Sequence, residues 1–255
     1  MDDLRAFASP ARAVGHPTER VALTGSTNDD ARARARDGVA HGWTLVADAQ
    51  TAGRGRAGRR WESPPGANLY VSFVLRPSLT PRDAPRVALA AGLAVADAVD
   101  RALGSPRAAV KWPNDVRVDG RKVAGVLVEG GLRGEALAWV VVGVGVNVKG
   151  EAPEAVRALA TSVEAARGGE VSRAAVLADL CLAMERRVEA LESGFDATRA
   201  ELRRRCETLG RAVSLAGHEG VADDIDDDGA LLVRVASGAL VTVHAGDVEP
   251  MGSAR

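Results

Sequence analysis

The run Gly53-Arg54-Gly55-Arg56-Ala57-Gly58-Arg59-Arg60, followed by Trp61-Glu62-Ser63-Pro64-Pro65-Gly66, decides which fold this chain can adopt. Its glycines match G-x-G-x-x-G literally. A dinucleotide-binding turn of that form must follow a strand and open a helix, so that pyrophosphate meets the helix N-terminus. Two prolines directly after the run argue against a helix. The kinase form needs a downstream strand lysine in V-A-I-K context, which is missing, and no G-K-[ST] exists to make a Walker A loop. What remains is a loop with arginines interleaved among glycines. The glycines keep backbone N–H groups accessible and tolerate positive φ, while guanidinium forks suit carboxylate or phosphate. Taken alone, the loop is compatible with an anionic small molecule, with nucleic acid, or with a plain solvated basic loop. Sparse aromatics nearby weaken the nucleic-acid reading.

Working outward, residues 1–18 are rich in Ala, Pro and Gly and read as a loose lead-in. A short strand at 21–23 precedes Ser26-Thr27-Asn28, whose side chains suit a helix N-terminus, and an Ala/Arg-rich helix that ends near Gly38. Strands are expected at 43–47 and, by alternation, at 69–75. A largely buried helix follows over 87–103. Strand-like segments at 108–112, 116–118, 122–129 and 137–144 come next, with Asp119-Gly120 as a hairpin turn. Helices are expected at 153–166, 172–193 and 196–206. From Arg211 the pattern changes to short strands at 211–216, 219–226, 230–235 and 238–244, punctuated by Asp228-Gly229 and Ser237-Gly238. The reading is an α+β body over 19–207 with a small all-β domain over 208–255.

Lysine occurs three times, at 111, 122 and 149, although arginine is plentiful. In such a chain a lysine is either incidental or does what a broad planar guanidinium cannot. Lys111-Trp112-Pro113-Asn114-Asp115 ends an apolar strand with a cation, an aromatic, an amide and a carboxylate. If Lys122-Val123-Ala124-Gly125 returns as the partner strand, Lys122 lies near the Asn114-Asp115 corner, which suits negative charge developing on phosphorus. An edge hairpin with surface charges is the competing reading. Gly143-Val144-Gly145-Val146-Asn147 ends another strand, with small residues that let a ligand approach the backbone and an amide able to read a polar edge such as adenine's.

Composition excludes several classes. With 255 residues, 46% hydrophobic and a net charge of −1, there is core-forming material but no global field for nucleic acid or membrane. No signal-peptide run or span-length apolar stretch is present. Cys181 and Cys206 form no C-x-x-C pair and read as free thiols of a reducing cytosol. The scattered histidines give no metal-ligand spacing.

In order along the chain, these pieces resemble the catalytic domain of biotin–protein ligases. The matching elements are Ser26-Thr27-Asn28, Gln50 to Arg56 with Gly58-Arg59, Trp61, Ser63-Pro64, and Gly66 to Tyr70. They continue with Lys111 to Asp115, Arg121 to Gly125 with Glu129, and Gly143 to Asn147. Ile225-Asp226 and Gly229 to Leu232 resemble the family's SH3-like C-terminal domain, so the likeness covers about residues 20–250. The resemblance implies a mixed-sheet body of the biotin/lipoate ligase type with an SH3-like barrel. It also implies two reactions, formation of biotinyl-adenylate from biotin and ATP with Mg2+, then transfer of biotin to a carrier-domain lysine.

Carried over residue by residue, Ser26, Thr27, Asn28, Gln50, Gly53 and Gly125 are expected to hold biotin. Arg54 and Lys122 would meet its carboxylate and the phosphate, with Lys122 as the principal catalytic cation. Arg56 and Arg59 would close over the nucleotide, and Arg56 would also retain the intermediate. Trp61 would stack on adenine and Asn147 read its edge, while Asn114 and Asp115 orient phosphate and Mg2+. The loop 50–66 is expected to order over the adenylate, keeping water from a labile anhydride.

Some family members carry an N-terminal helix-turn-helix domain. Nothing before Ser26 makes three helices, so a cytoplasmic ligase that does not bind DNA or repress transcription is expected, as a monomer or weak homodimer. Its expected partner is the carrier domain of acyl-CoA or pyruvate carboxylases. Ala57 stands where relatives often have a basic or polar residue. The alternatives are a lipoate–protein ligase, which shares the fold, and a nucleic-acid-binding protein, which the acidic run Asp223 to Asp228 opposes.

Overall fold

The structure is a computed structural model and describes residues 2–152 and 154–250. The body contains β1 (Thr18–Thr24), α1 (Thr27–Arg36), β2 (Thr44–Gln50), β3 (Leu69–Leu75), α2 (Ala84–Leu103), β4 (Ala108–Lys111), β5 (Asp115–Val118), β6 (Arg121–Arg133), β7 (Ala136–Val146), α3 (Val163–Arg167), α4 (Arg173–Glu192) and α5 (Asp196–Arg205). A second sheet follows from β8 (Ala212–Leu215), β9 (His218–Ile225), β10 (Leu231–Val235), β11 (Leu240–Val243) and β12 (Glu249–Pro250). The seven strands of the body run in the order β1-β2-β3-β7-β6-β5-β4, parallel between β1 and β2 and antiparallel elsewhere. The five later strands form an antiparallel sheet, β11-β10-β9-β8-β12. The expected α+β class, with a small β unit at the C-terminus, is what the chain adopts.

Alternation along the central strands assigns the two faces. Val71, Phe73 and Leu75 of β3, with Val140, Val142 and Val144 of β7, face the core formed with α2 and α4. Val74, Trp139 and Val141 point the other way, onto Ala31 and Ala35 of α1. α1 covers only part of its face, so the sheet beyond its N-terminus is open to a ligand. The second sheet is fastened to the body by Trp112, which is buried. Its indole Nε1 donates to the Gly229 carbonyl at 3.0 Å and its backbone N donates to Thr208 Oγ1 at 3.0 Å.

Two expectations are corrected. The lead-in is packed: Leu4, Ala11 and Val14 are buried in the main core, and Asp3 pairs with the buried Arg173 at 2.7 Å. Its alanines and prolines concealed this, because the apolar residues that anchor it follow no period. The helix expected at 153–166 is instead a 3-10 turn at Glu154–Val156 and the short α3, residue 153 lying outside the described residues. Lys122 explains the interruption: its N–H donates to the Leu159 carbonyl and its carbonyl accepts from the Thr161 N–H. Backbone committed to that pairing cannot continue a helix. Among the described residues no helix is long and apolar enough to cross a membrane.

Candidate active site

The cleft lies on the open part of the sheet, at the N-terminus of α1. Ser26 occupies the N-cap position, but its hydroxyl makes no capping bond. Gln50 does that work from β2, its Oε1 accepting from the Thr27 N–H at 2.8 Å. Gln50 Nε2 donates to Ser63 Oγ at 2.9 Å, and the Ser63 hydroxyl donates to the Trp61 carbonyl at 3.0 Å. The strand end, the helix start and the loop are thus tied by one side chain. Ser26, Thr27 and Asn28 are all buried against the cleft.

The arginine loop is a closed hairpin. Gly55 N donates to the Arg59 carbonyl, Trp61 N donates to the Gly53 carbonyl, and Ala57 takes a positive φ of 53° at the tip. Gly53 must be small, since a Cβ there would meet the Trp61 carbonyl at 2.5 Å. Arg56 is braced by Asn114, whose Oδ1 accepts from its guanidinium at 2.9 Å. Asn114 is itself fixed to β6 by donating to the Val126 carbonyl. Arg59 reaches Asp247 beside the second sheet at 2.7 Å. Arg54 is spoken for: it meets Glu129 at 2.6 Å and Asp29 at 2.9 Å. Burial pushes the Glu129 carboxyl up, but hydrogen bonds from Asn28 and Arg54 and the charges of Arg54 and Arg32 outweigh it, holding it below the usual range.

Glycines shape the floor. Gly125 of β6 pairs with Gly145 of β7, and Gly143 pairs with Leu127. A Cβ at Gly145 would lie 2.4 Å from the Trp61 indole, and one at Gly143 would lie 1.9 Å from Asn28 Oδ1. Lys122 Nζ stands 5.2 Å from the centre of the Trp61 ring and 2.7 Å from Asp115 Oδ1. The space measures about 160 Å³, below the roughly 300 Å³ at which small-molecule sites begin. The indole of Trp61 lies against Gly125 and Gly145. Its N–H is buried without a hydrogen-bond partner among the described residues.

Of the residues singled out from sequence, Ser26, Thr27, Asn28, Gln50, Arg54, Arg56, Arg59, Trp61, Asn114, Lys122 and Gly125 line this one cleft. Gly53, Asp115 and Asn147 do not. Gly53 supports the hairpin, Asp115 stands behind Lys122, and Asn147 donates its amide to the Thr161 carbonyl at 3.2 Å. The sequence reading missed Arg60, which lines the cleft, and Ser72, which lies beneath it. Ser72 had a signal: it is the one hydroxyl of small size in the apolar run Leu69-Tyr70-Val71-Ser72-Phe73-Val74-Leu75. Among the described residues no three His, Cys, Asp or Glu side chains gather as a metal site.

Comparison with known proteins agrees with this geometry. Residues 22–147 match the model of the biotin/lipoate A/B protein ligase family, and residues 208–249 match the biotin protein ligase C-terminal domain. The biotin–[acetyl-CoA-carboxylase] ligase of Mycobacterium tuberculosis is 40% identical over 237 residues, covering 89% of this chain and 86% of that protein. The bifunctional ligase/repressor BirA of Bacillus subtilis is 33% identical over 234 residues, covering 88% and 71% respectively. The structure of the Aquifex aeolicus biotin protein ligase in complex with biotin and ATP superposes with a TM-score of 0.79 at 29% identity, covering 91% of this chain and 97% of that one. The chain belongs to the biotin/lipoate A/B protein ligase family and, within it, to the biotin protein ligases.

Proposed function

We propose that this enzyme joins biotin and ATP into biotinyl-5'-AMP and then transfers biotin to a specific lysine on the carrier domain of a biotin-dependent carboxylase. The observation that carries the reading is the make-up of one cleft. Uncharged hydrogen-bonding side chains (Ser26, Thr27, Gln50) share its wall with the cations Arg56, Arg59, Arg60 and Lys122. An acid with a polar ring suits the first set, and a triphosphate suits the second.

In the first step a biotin carboxylate oxygen attacks the α-phosphorus, forming a P–O bond as pyrophosphate leaves. In the second the lysine ε-amine attacks the acyl carbon; AMP leaves and the amine gives up a proton. The first transition state crowds negative charge at phosphorus, and the second places it on the acyl oxygen and the departing AMP, so fixed cations and orientation are the main catalytic resources. Lys122, held by Asp115, supplies a compact charge; Arg56, held by Asn114, supplies a second. Asp115 is engaged by Lys122, and among the described residues no carboxylate cluster stands beside it, so the donor set fits Mg2+ carried on the triphosphate. Trp61 supplies an aromatic face beside Lys122 for the adenine ring.

The reading includes a cytoplasmic setting, supported by two buried free cysteines. The test is ATP–pyrophosphate exchange with Mg2+ and biotin, lipoate or octanoate, without carrier protein. Exchange with biotin alone is expected. Exchange with lipoate alone would assign the chain to lipoate chemistry, and none with any acid would remove the adenylation reading.

A further inference from the structure

Beneath the cleft, Ser72 and Glu129 extend a polar chain whose two ends the reactions above do not use. Ser72 is fully buried in β3. Its Oγ stands 2.7 Å from Asn28 Oδ1 and 2.8 Å from Thr27 Oγ1. Both distances require a proton between the oxygens, and a serine hydroxyl carries one.

Glu129 decides where it goes. Asn28 Nδ2 stands 2.9 Å from Glu129 Oε2 and 3.3 Å from the Leu127 carbonyl. Both are acceptors, so the amide nitrogen faces them and the amide oxygen faces Ser72. That oxygen cannot donate. The 2.7 Å contact therefore takes the Ser72 proton, and the 2.8 Å contact takes the Thr27 proton. Among the described residues the other acceptor within reach of Thr27 Oγ1 is Gln50 Oε1, which is farther, at 3.2 Å, and already accepts from the Thr27 backbone N–H. With its proton turned inward, Thr27 offers lone pairs to the cleft that it lines.

Resting on the function read above, we propose that Ser72 and Glu129 are positioning residues for acid specificity, fixing the Thr27 hydroxyl as an acceptor for a ring N–H. A cyclic urea has such N–H groups. A dithiolane or an alkyl chain has none and leaves a buried acceptor without a partner, a loss that discriminates strongly between substrates. The relay thus favours a ureido acid over lipoate-like or fatty acids.

The experiment is ATP–pyrophosphate exchange by the full chain, with biotin and ATP varied separately, for wild type, Ser72→Ala, Thr27→Val and the double variant. Both single changes are nearly isosteric, and urea unfolding monitors the fold. Each is expected to raise the KM for biotin about ten- to a hundredfold while leaving the KM for ATP unchanged. The double variant should be no worse than the worse single one, because both remove the same interaction. Glu129→Gln keeps an acceptor for Asn28 and should retain the biotin KM; Glu129→Leu should raise it. An unchanged biotin KM in Ser72→Ala, a parallel rise in the KM for ATP, or additive losses would overturn the relay. Wild-type exchange that does not depend on biotin would instead overturn the function on which the relay rests.

Discussion

Nζ of Lys122 lies 2.7 Å from Oδ1 of Asp115, so the lysine of the cleft wall is aimed by a carboxylate that is not in the wall. The pairing is between successive antiparallel strands, β5 and β6, and depends on the Asp119-Gly120 turn that sets their register. A point charge on a flexible stem gains most from such an anchor, which holds it in place before phosphate arrives.

Removing that charge should cost catalysis and spare the fold. Lys122→Ala is expected to lower biotin-dependent pyrophosphate exchange by about a hundred- to a thousandfold, the usual effect of losing one preorganised electrostatic group. Its side chain is 31% exposed, so the thermal midpoint should scarcely move. Lys122→Arg should also be impaired, since a planar fork cannot occupy the same point. Exchange at the wild-type rate in Lys122→Ala would sink the assigned role.

A methyl group at Gly143 should disable the cleft from below. Its Cβ would fall 1.9 Å from Asn28 Oδ1, and Asn28 is held between Ser72 and Glu129 by hydrogen bonds that a shift would break. Gly143→Ala is expected to cost about 1–3 kcal/mol of stability as overpacking and to weaken biotin binding more than ATP binding. Urea unfolding and calorimetric titration of each substrate check the two parts. A stable variant with wild-type biotin affinity would show that Asn28 is freer than its contacts indicate.

The sequence made the cleft's residue types legible where a motif required unusual chemistry. Lys122 stood out because lysine is rare, and the arginine loop because prolines forbade a helix after its glycines. Ser72 and Glu129 were harder to read because their meaning lies in contacts between residues far apart in the chain: Ser72 meets Asn28 across 44 positions, and Glu129 meets it across 101. The misjudged helix at 153–166 has the same cause. Local propensity there favours helix, and pairing with Lys122 overrides it.

Glu129 should make stability pH-dependent in a definite direction. Its folded-state carboxyl is held below the ordinary value of about 4.3. A depressed carboxyl contributes stability that is fully present above the unfolded-state value and is lost as pH falls through the folded-state value. Wild type should therefore exceed Glu129→Gln in thermal midpoint at pH 6–7, and the gap should close from about pH 5 downward. Midpoints measured across that range test the sign; a gap that widens on acidification would contradict it.

Arg173 should prove the keystone of the N-terminal segment. It is 2% exposed at the start of α4 and meets Asp3 at 2.7 Å and Asp48 of β2 at 2.8 Å, so one guanidinium joins the lead-in, the sheet and a core helix. Burial works against its charge, and the two carboxylates more than offset it, holding the guanidinium above its ordinary range. Arg173→Ala removes the cation both carboxylates share, and breaking a buried pair from one side typically costs about 3–5 kcal/mol. Arg173→Met, which refills the volume, should still lose most of that, because the carboxylates remain. Replacing Asp3 as well, as Asp3→Asn in the Arg173→Met background, should recover part of the loss by removing the carboxylate that has lost its guanidinium. Urea unfolding of the three variants distinguishes this from simple loss of packing, in which Met alone would restore stability and the Asp3 change would add nothing.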